Sequence, residues 1–153
     1  MQKEILLDIL LQNEMRFWAT FGKINAENAD LKLNERTASA AFIYRHVSET
    51  MNRLGWFLGI TTNIENTTIG QNDTGQGRNL EASRLLAEQD FAMLKNFVET
   101  TPDDTWLEPV ETPFFGTVSK ARFFAFILFH NSYHLGQLGL TLVKGEIHVQ
   151  AID

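Results

Sequence analysis

His130 and His134 stand four residues apart in the segment Phe129-His130-Asn131-Ser132-Tyr133-His134-Leu135-Gly136-Gln137. On an α-helix, positions i and i+4 share a face, one above the other, close enough for two imidazoles to bind one metal ion. Two other histidines exist, His46 and His148. His46 lies in a segment with strong helical patterning. Three neutral imidazoles from two helices can hold a divalent cation and leave coordination positions open for water or substrate. Taken alone, His46 on an apolar helix face reads as a hydrogen-bonded core residue. The i,i+4 pair elsewhere in the chain is what argues for a site. His148, beyond a helix stop at Gly145, falls outside the pattern and reads as a surface residue.

The neighbouring residues bound the chemistry. The chain has no cysteine, which excludes disulfides, thiolate ligands and a cysteine nucleophile. A metal must then be held by His, carboxylate or water, and any thiol must arrive with a substrate. The zinc-protease pattern His-Glu-x-x-His would need Glu at position 131, where Asn131 stands. No histidine has a carboxylate three residues before it, so a ferritin-like di-metal centre is excluded and one metal is expected. Gln137, i+3 from His134 and i+7 from His130, can support a ligand or bind substrate; the plain reading is a structural bond beside helix packing at Gly136. Tyr133 could donate a proton, but reads more simply as a packed aromatic with a satisfied hydroxyl. Glu49, i+3 from His46, is the nearest candidate base, and a solvated charge on the helix flank is the simpler expectation.

These residues need helices to position them, and the hydrophobic period supplies four. From about Lys3 to Phe21 the stripe is Ile5, Leu6, Ile9, Leu10, Phe17 and Phe21, with Gly22 as the stop. Asn13 interrupts that stripe and should bond to a neighbouring helix or line a pocket. A second helix, capped by Thr37 or Ser39 and ending near Gly59, carries Ile43, His46 or Val47, Thr50, Leu54 and Phe57 inward. Residues 61–79, rich in Asn, Thr and Gly, read as a long surface connection. They lack the Gly-Lys-Ser/Thr ending of a phosphate loop. Asn79 caps a third helix to about Glu99, with Ala82, Leu85, Leu86, Ala92, Met93, Leu94 and Phe97 on its apolar face. Pro102, Pro109 and Pro113 keep the next stretch non-helical. A fourth helix runs from near Thr117 to about Lys144, apolar nearly all round in its first half, as in a buried helix. Strand patterning is absent, apart from a short unassigned tail, Ile147-His148-Val149. An all-α four-helix bundle follows. The long second connection lets helices two and three lie parallel.

At 153 residues, with 44% hydrophobic residues and 12 Phe, a single domain over 1–153 with a real core is expected. The net charge of −6 and the absence of a basic cluster exclude nucleic acid as a partner. No apolar run is long enough for a bilayer. The first residues lack a signal peptide's apolar run, so a cytoplasmic location is expected. The triplets Asn66-Thr67-Thr68 and Asn72-Asp73-Thr74 resemble glycosylation acceptors but mean little without a secretory signal.

The run from Phe129 to Gln137 resembles the His-x-x-x-His-x-Gly-Gln signature on the last helix of the DinB-like superfamily, four-helix bundle proteins with a three-histidine metal site. Tyr44-Arg45-His46-Val47-Ser48-Glu49 resembles the segment that supplies the family's third ligand. The resemblance covers nearly the whole chain. It implies that His46, His130 and His134 are the ligands of one divalent ion, with zinc, nickel and iron all admissible. It also implies an up-down-down-up helix order and frequent homodimers. Characterised relatives include thiol transferases using bacillithiol, mycothiol or glutathione-like cofactors, and maleylpyruvate isomerases. The expected function is therefore a metal-dependent transferase that brings a low-molecular-weight thiol to a small electrophilic substrate. A metal hydrolase and a non-catalytic metal- or ligand-binding bundle are the alternatives.

Overall fold

The structure, a computed structural model, describes residues 2–148. Four helices carry it: α1 (Gln2–Phe21), α2 (Ala40–Phe57), α3 (Leu80–Thr100) and α4 (Lys120–Lys144). Their ends follow local chemistry. Ser39 and Ser119 each accept the backbone N–H three residues on, Phe42 and Arg122, and Asn79 does the same for Ala82. Each bond satisfies an amide that the first helical turn leaves without a partner.

Cross-helix bonds fix the helix directions. On α2 and α3, Ser48 reaches Ser83 O and Asn52 reaches Asp90, so the residue numbers rise together and the two helices are parallel. Lys3 near the start of α1 bonds Glu99 O at the end of α3, which makes those two antiparallel. On α2 and α4, His46 faces His130 while Phe57 faces Phe123, again antiparallel. The order is up-down-down-up. Asn13 ties α1 to α4 by donating to Leu128 O at 2.9 Å and accepting from Asn131 at 3.1 Å. A polar residue on the core stripe is thereby satisfied by the neighbouring helix.

The core is aromatic. Phe17, Phe21 and Phe91 from α1 and α3 stack beside Tyr44, and Trp106, fully buried, packs edge-on against Phe97 and Phe124. Two apolar stripes differ from the sequence expectation. Ile5 and Ile9 on α1 are about half exposed, so only Leu10, Phe17 and Phe21 of that helix are fully buried. On α3 the buried set is Ser83, Leu86, Ala87, Asp90, Phe91, Leu94 and Val98, while Leu85 and Ala92 face outward. Strands also occur where none was expected. Pro109–Thr112 (β2) and Gly116–Ser119 (β3) form an antiparallel hairpin, which delays the start of α4 from Thr117 to Lys120. Pro109 begins its strand, and Pro113 sits in the turn, where neither needs to donate to the ladder. Leu31–Lys32 (β1) pairs with Glu146–Ile147 (β4), so the tail after Gly145 is a short edge strand. Val149 lies outside the described residues.

Candidate metal centre

The antiparallel packing of α2 against α4 brings His46 between His130 and His134. Ring centroids are 5.4 Å apart for His46 and His130, 4.8 Å for His46 and His134, and 4.5 Å for His130 and His134. One ring nitrogen from each lies within 4.8 Å of the others, and no carboxylate joins them among the described residues. Ligands about 2.1 Å from a shared ion stand no more than about 4.2 Å apart. Side-chain adjustment of under about one ångström therefore closes the set.

The surroundings fit a cation. His134 Nδ1 is 2.8 Å from Gln137 Oε1. An amide oxygen only accepts, so Nδ1 carries the proton and Nε2 keeps its lone pair. Nδ1 of His46 and of His130 are buried with no hydrogen-bond partner among the described residues. Unpaired ring nitrogens in an interior are costly unless something binds there. Burial lowers the pKa of His46 to about 4 and of His130 to about 3, with mutual repulsion among the imidazoles adding to it. His134 is lowered by burial and partly restored by Gln137. All three rings are therefore neutral at pH 7, the form that donates to a metal. Three elements of one cation site, namely convergence, neutrality and a fixed tautomer, are present together.

Glu49 departs from expectation. It is buried rather than solvated, with only 1% of its surface exposed. Arg45 Nε donates to Oε1 at 2.6 Å, Thr67 donates its amide to Oε2 and its hydroxyl to Oε1, and Thr68 donates its hydroxyl to Oε2. Burial alone would raise its carboxyl, but these donors outweigh it and hold the pKa below the ordinary range. Glu49 is thus a buried clamp that pins residues 67–68 of the long connection onto α2. Nothing in the sequence marks this, because Thr67 and Thr68 are 18 and 19 residues away. Gly70 follows with φ 74°, a backbone conformation that favours glycine. Tyr133 is not packed: it is 65% exposed, with its ring edge-on to His134. At Gly136 no neighbour stands within 4 Å of where a Cβ would be, so it does not serve helix packing within the chain.

Two cavities flank the triad and share His46. One, of about 210 Å³, is lined by Ala38, Phe42, Thr68, Gly70, His134 and Gln137 among others. The second, of about 370 Å³, reaches His130 and is walled by Leu54, Phe57, Ile69, Phe114 and Phe126. The sequence matches the DinB superfamily over residues 9–138. This chain belongs to the DinB superfamily. As a DinB-superfamily bundle it is also similar to the crystal structure of TT2238, a four-helix bundle protein. That similarity has a TM-score of 0.63 at 16% identity and covers 90% of this chain and 98% of the other. At that identity it shows the fold alone. No curated protein matches the chain significantly. No helix among the described residues is long and apolar enough to cross a membrane.

Proposed function

We propose that this DinB-superfamily protein is a metal-dependent transferase that joins a low-molecular-weight thiol to a small electrophile, with His46, His130 and His134 holding one divalent ion. The observation that carries the reading is the convergent triad wedged between two separate cavities that share His46. Two small molecules can approach one centre from different sides. A divalent ion held by three neutral imidazoles keeps its full charge and, when bound, acidifies a coordinated thiol or water. The thiol sulfur forms the new S–C bond, the thiol proton passes to solvent, and the displaced group leaves with the electrons of the bond it breaks.

The chain's own residues support this division of labour. Gln137 holds the His134 tautomer, and burial keeps the rings free of protons. Glu49 spends its four accepted bonds on Arg45, Thr67 and Thr68, so it is not available as a general base. The ion would acidify a coordinated water or thiol without such a base, and of the two a thiol, with the lower intrinsic pKa, ionises more readily.

The test begins with elemental analysis of protein purified without an affinity tag. Bacillithiol, mycothiol, glutathione and coenzyme A are then titrated against the metal-loaded protein with model electrophiles. A rate that requires both metal and one thiol supports the transferase. A metal-dependent rate indifferent to every thiol would assign hydrolysis, and inertness throughout would assign a binding role.

We also propose a cytoplasmic homodimer. Its support is the outer face of α4, where Phe129, Tyr133, Leu140 and Val143, at successive steps of four, seven and three residues, are each more than half exposed on one side of the helix. Ile9 of α1 lies beside Phe129 along the same groove. Four large apolar or aromatic side chains exposed on one face of a helix mark it as an interaction surface.

A further inference from the structure

The larger cavity has a composition that the reaction class alone does not explain. Its walls are Leu54 and Phe57 of α2, Phe126 of α4, Ile69 of the long connection and Phe114 at the tip of the β2–β3 hairpin. The three phenylalanines form a continuous aromatic lining: Phe114 stands 5.9 Å from Phe57 and 6.3 Å from Phe126, centroid to centroid. Phe114 is also 55% exposed, an apolar surface held at the mouth. Polar capacity in this chamber is already committed on two sides. Thr50 donates to His46 O, and Asn66 makes bonds within its own turn, donating to Ile69 O and accepting from Thr68 and Ile69 amides.

Arg53 is the exception. It is the one cationic side chain lining the chamber, seven residues and about two turns beyond His46 on α2. Its guanidinium makes no ion pair among the described residues, and lies 5.8 Å from the Trp56 ring, which steadies it without neutralising it. A guanidinium with unused donors at the rim of an aromatic cavity suits a planar anion such as a carboxylate, which it can pair with bidentately.

We propose that this chamber receives a small aromatic acid, its ring packed against the lining of Phe57, Phe114 and Phe126 and its anionic group on Arg53. The proposal rests on the transferase reading for its consequence, since the ligand would be the electrophilic partner, with its reactive end toward His46 and His130. Its binding chemistry stands apart from that reading. Aromatic walls select a flat apolar body, about 370 Å³ limits its size, and the single cation selects charge.

The test is equilibrium binding of 2-naphthoate and its neutral counterpart 2-naphthamide to metal-free protein, by calorimetry and ligand-observed NMR. Metal-free protein is used so that the carboxylate cannot gain affinity from the ion. Naphthoate should bind at least about fivefold more tightly than naphthamide. Arg53→Gln should abolish that preference while leaving naphthamide affinity unchanged, and Arg53→Lys should restore part of it. Phe114→Ala, at an exposed hairpin tip, should weaken both ligands alike. A charge preference that survives in Arg53→Gln would overturn the assignment to Arg53. Absence of binding by either ligand to protein with native circular dichroism would overturn the chamber as an acid site. A transferase that fails every thiol yet shows Arg53-dependent naphthoate binding would sink the reaction proposed above and leave this one standing.

Discussion

At the scale of single residues, the centre depends on three imidazoles that burial keeps free of protons. Replacing His46, His130 or His134 by Ala should lower zinc affinity by at least about 100-fold, read by competition with a chromogenic chelator, while far-ultraviolet circular dichroism stays native. Gln137→Leu should cost less, about tenfold, since it removes the acceptor that fixes the His134 tautomer and leaves the ligand atom in place. Because His46 and His130 have pKa values near 4 and 3, metal affinity should be nearly flat between pH 6 and 8. An ordinary histidine site would instead lose affinity as the pH fell through about 6.5.

Between elements, the decisive contact is the one that fastens the long connection to α2. Glu49→Gln replaces an acceptor of four bonds by a group that must present N–H atoms to donors. It should cost about 1–3 kcal/mol in urea unfolding. Amide exchange at Thr67 should accelerate, because its N–H donates directly to Glu49. The pH dependence has a definite sign. Glu49 has a folded pKa below its ordinary value, so its stabilisation is complete above about pH 4.5 and is lost as pH falls through the folded value. Gly77 belongs to the same connection: a Cβ there would stand 2.1 Å from Ala41 O, so only glycine lets the chain lie against the start of α2.

For the molecule as a whole, Asp90 acts in the opposite direction. It is 1% exposed between α2 and α3, bonded to Asn52 on one oxygen, with the other unpaired among the described residues. Burial raises its pKa to about 7, against the hydrogen bond from Asn52 and the charge of Arg45. Between the ordinary carboxylate value and about pH 7 the folded state holds a proton that the unfolded chain has released. Stability from this group therefore falls as pH rises across that window and is constant above it. Asp90→Asn preserves the bond from Asn52 and removes the charge, so it should stabilise by about 1–3 kcal/mol at pH 8 and have little effect at pH 4. Chelation should leave the fold intact, because the aromatic core does not include the metal ligands. The dimer proposal is read by sedimentation: Leu140→Glu, on the exposed face of α4, should give a monomer with unchanged helical content, and a wild-type monomer at tens of micromolar would refute it.

The four helices were legible because periodicity and capping are local: Ser39, Asn79 and the Gly145 stop are read from neighbouring residues alone. The His130–His134 pair was legible for the same reason, as a spacing along one helix. Its union with His46 required the antiparallel register of α2 on α4, which here came from resemblance and which the packing supplies. Three features lay beyond local reading. The β2–β3 hairpin is made by pairing across a turn, and Pro109 at the start of its first strand and Pro113 in the turn mask its strand character. Glu49 is indistinguishable from a surface carboxylate until Thr67 and Thr68 fold back onto it. Phe114 becomes a chamber wall only when the hairpin is set against α2 and α4. Sequence determined which faces are apolar and which side chains share a turn, because those follow from the 3.6-residue period. Tertiary structure decided which polar groups are buried and what they meet, because burial depends on segments that are distant along the chain and adjacent only once it is packed.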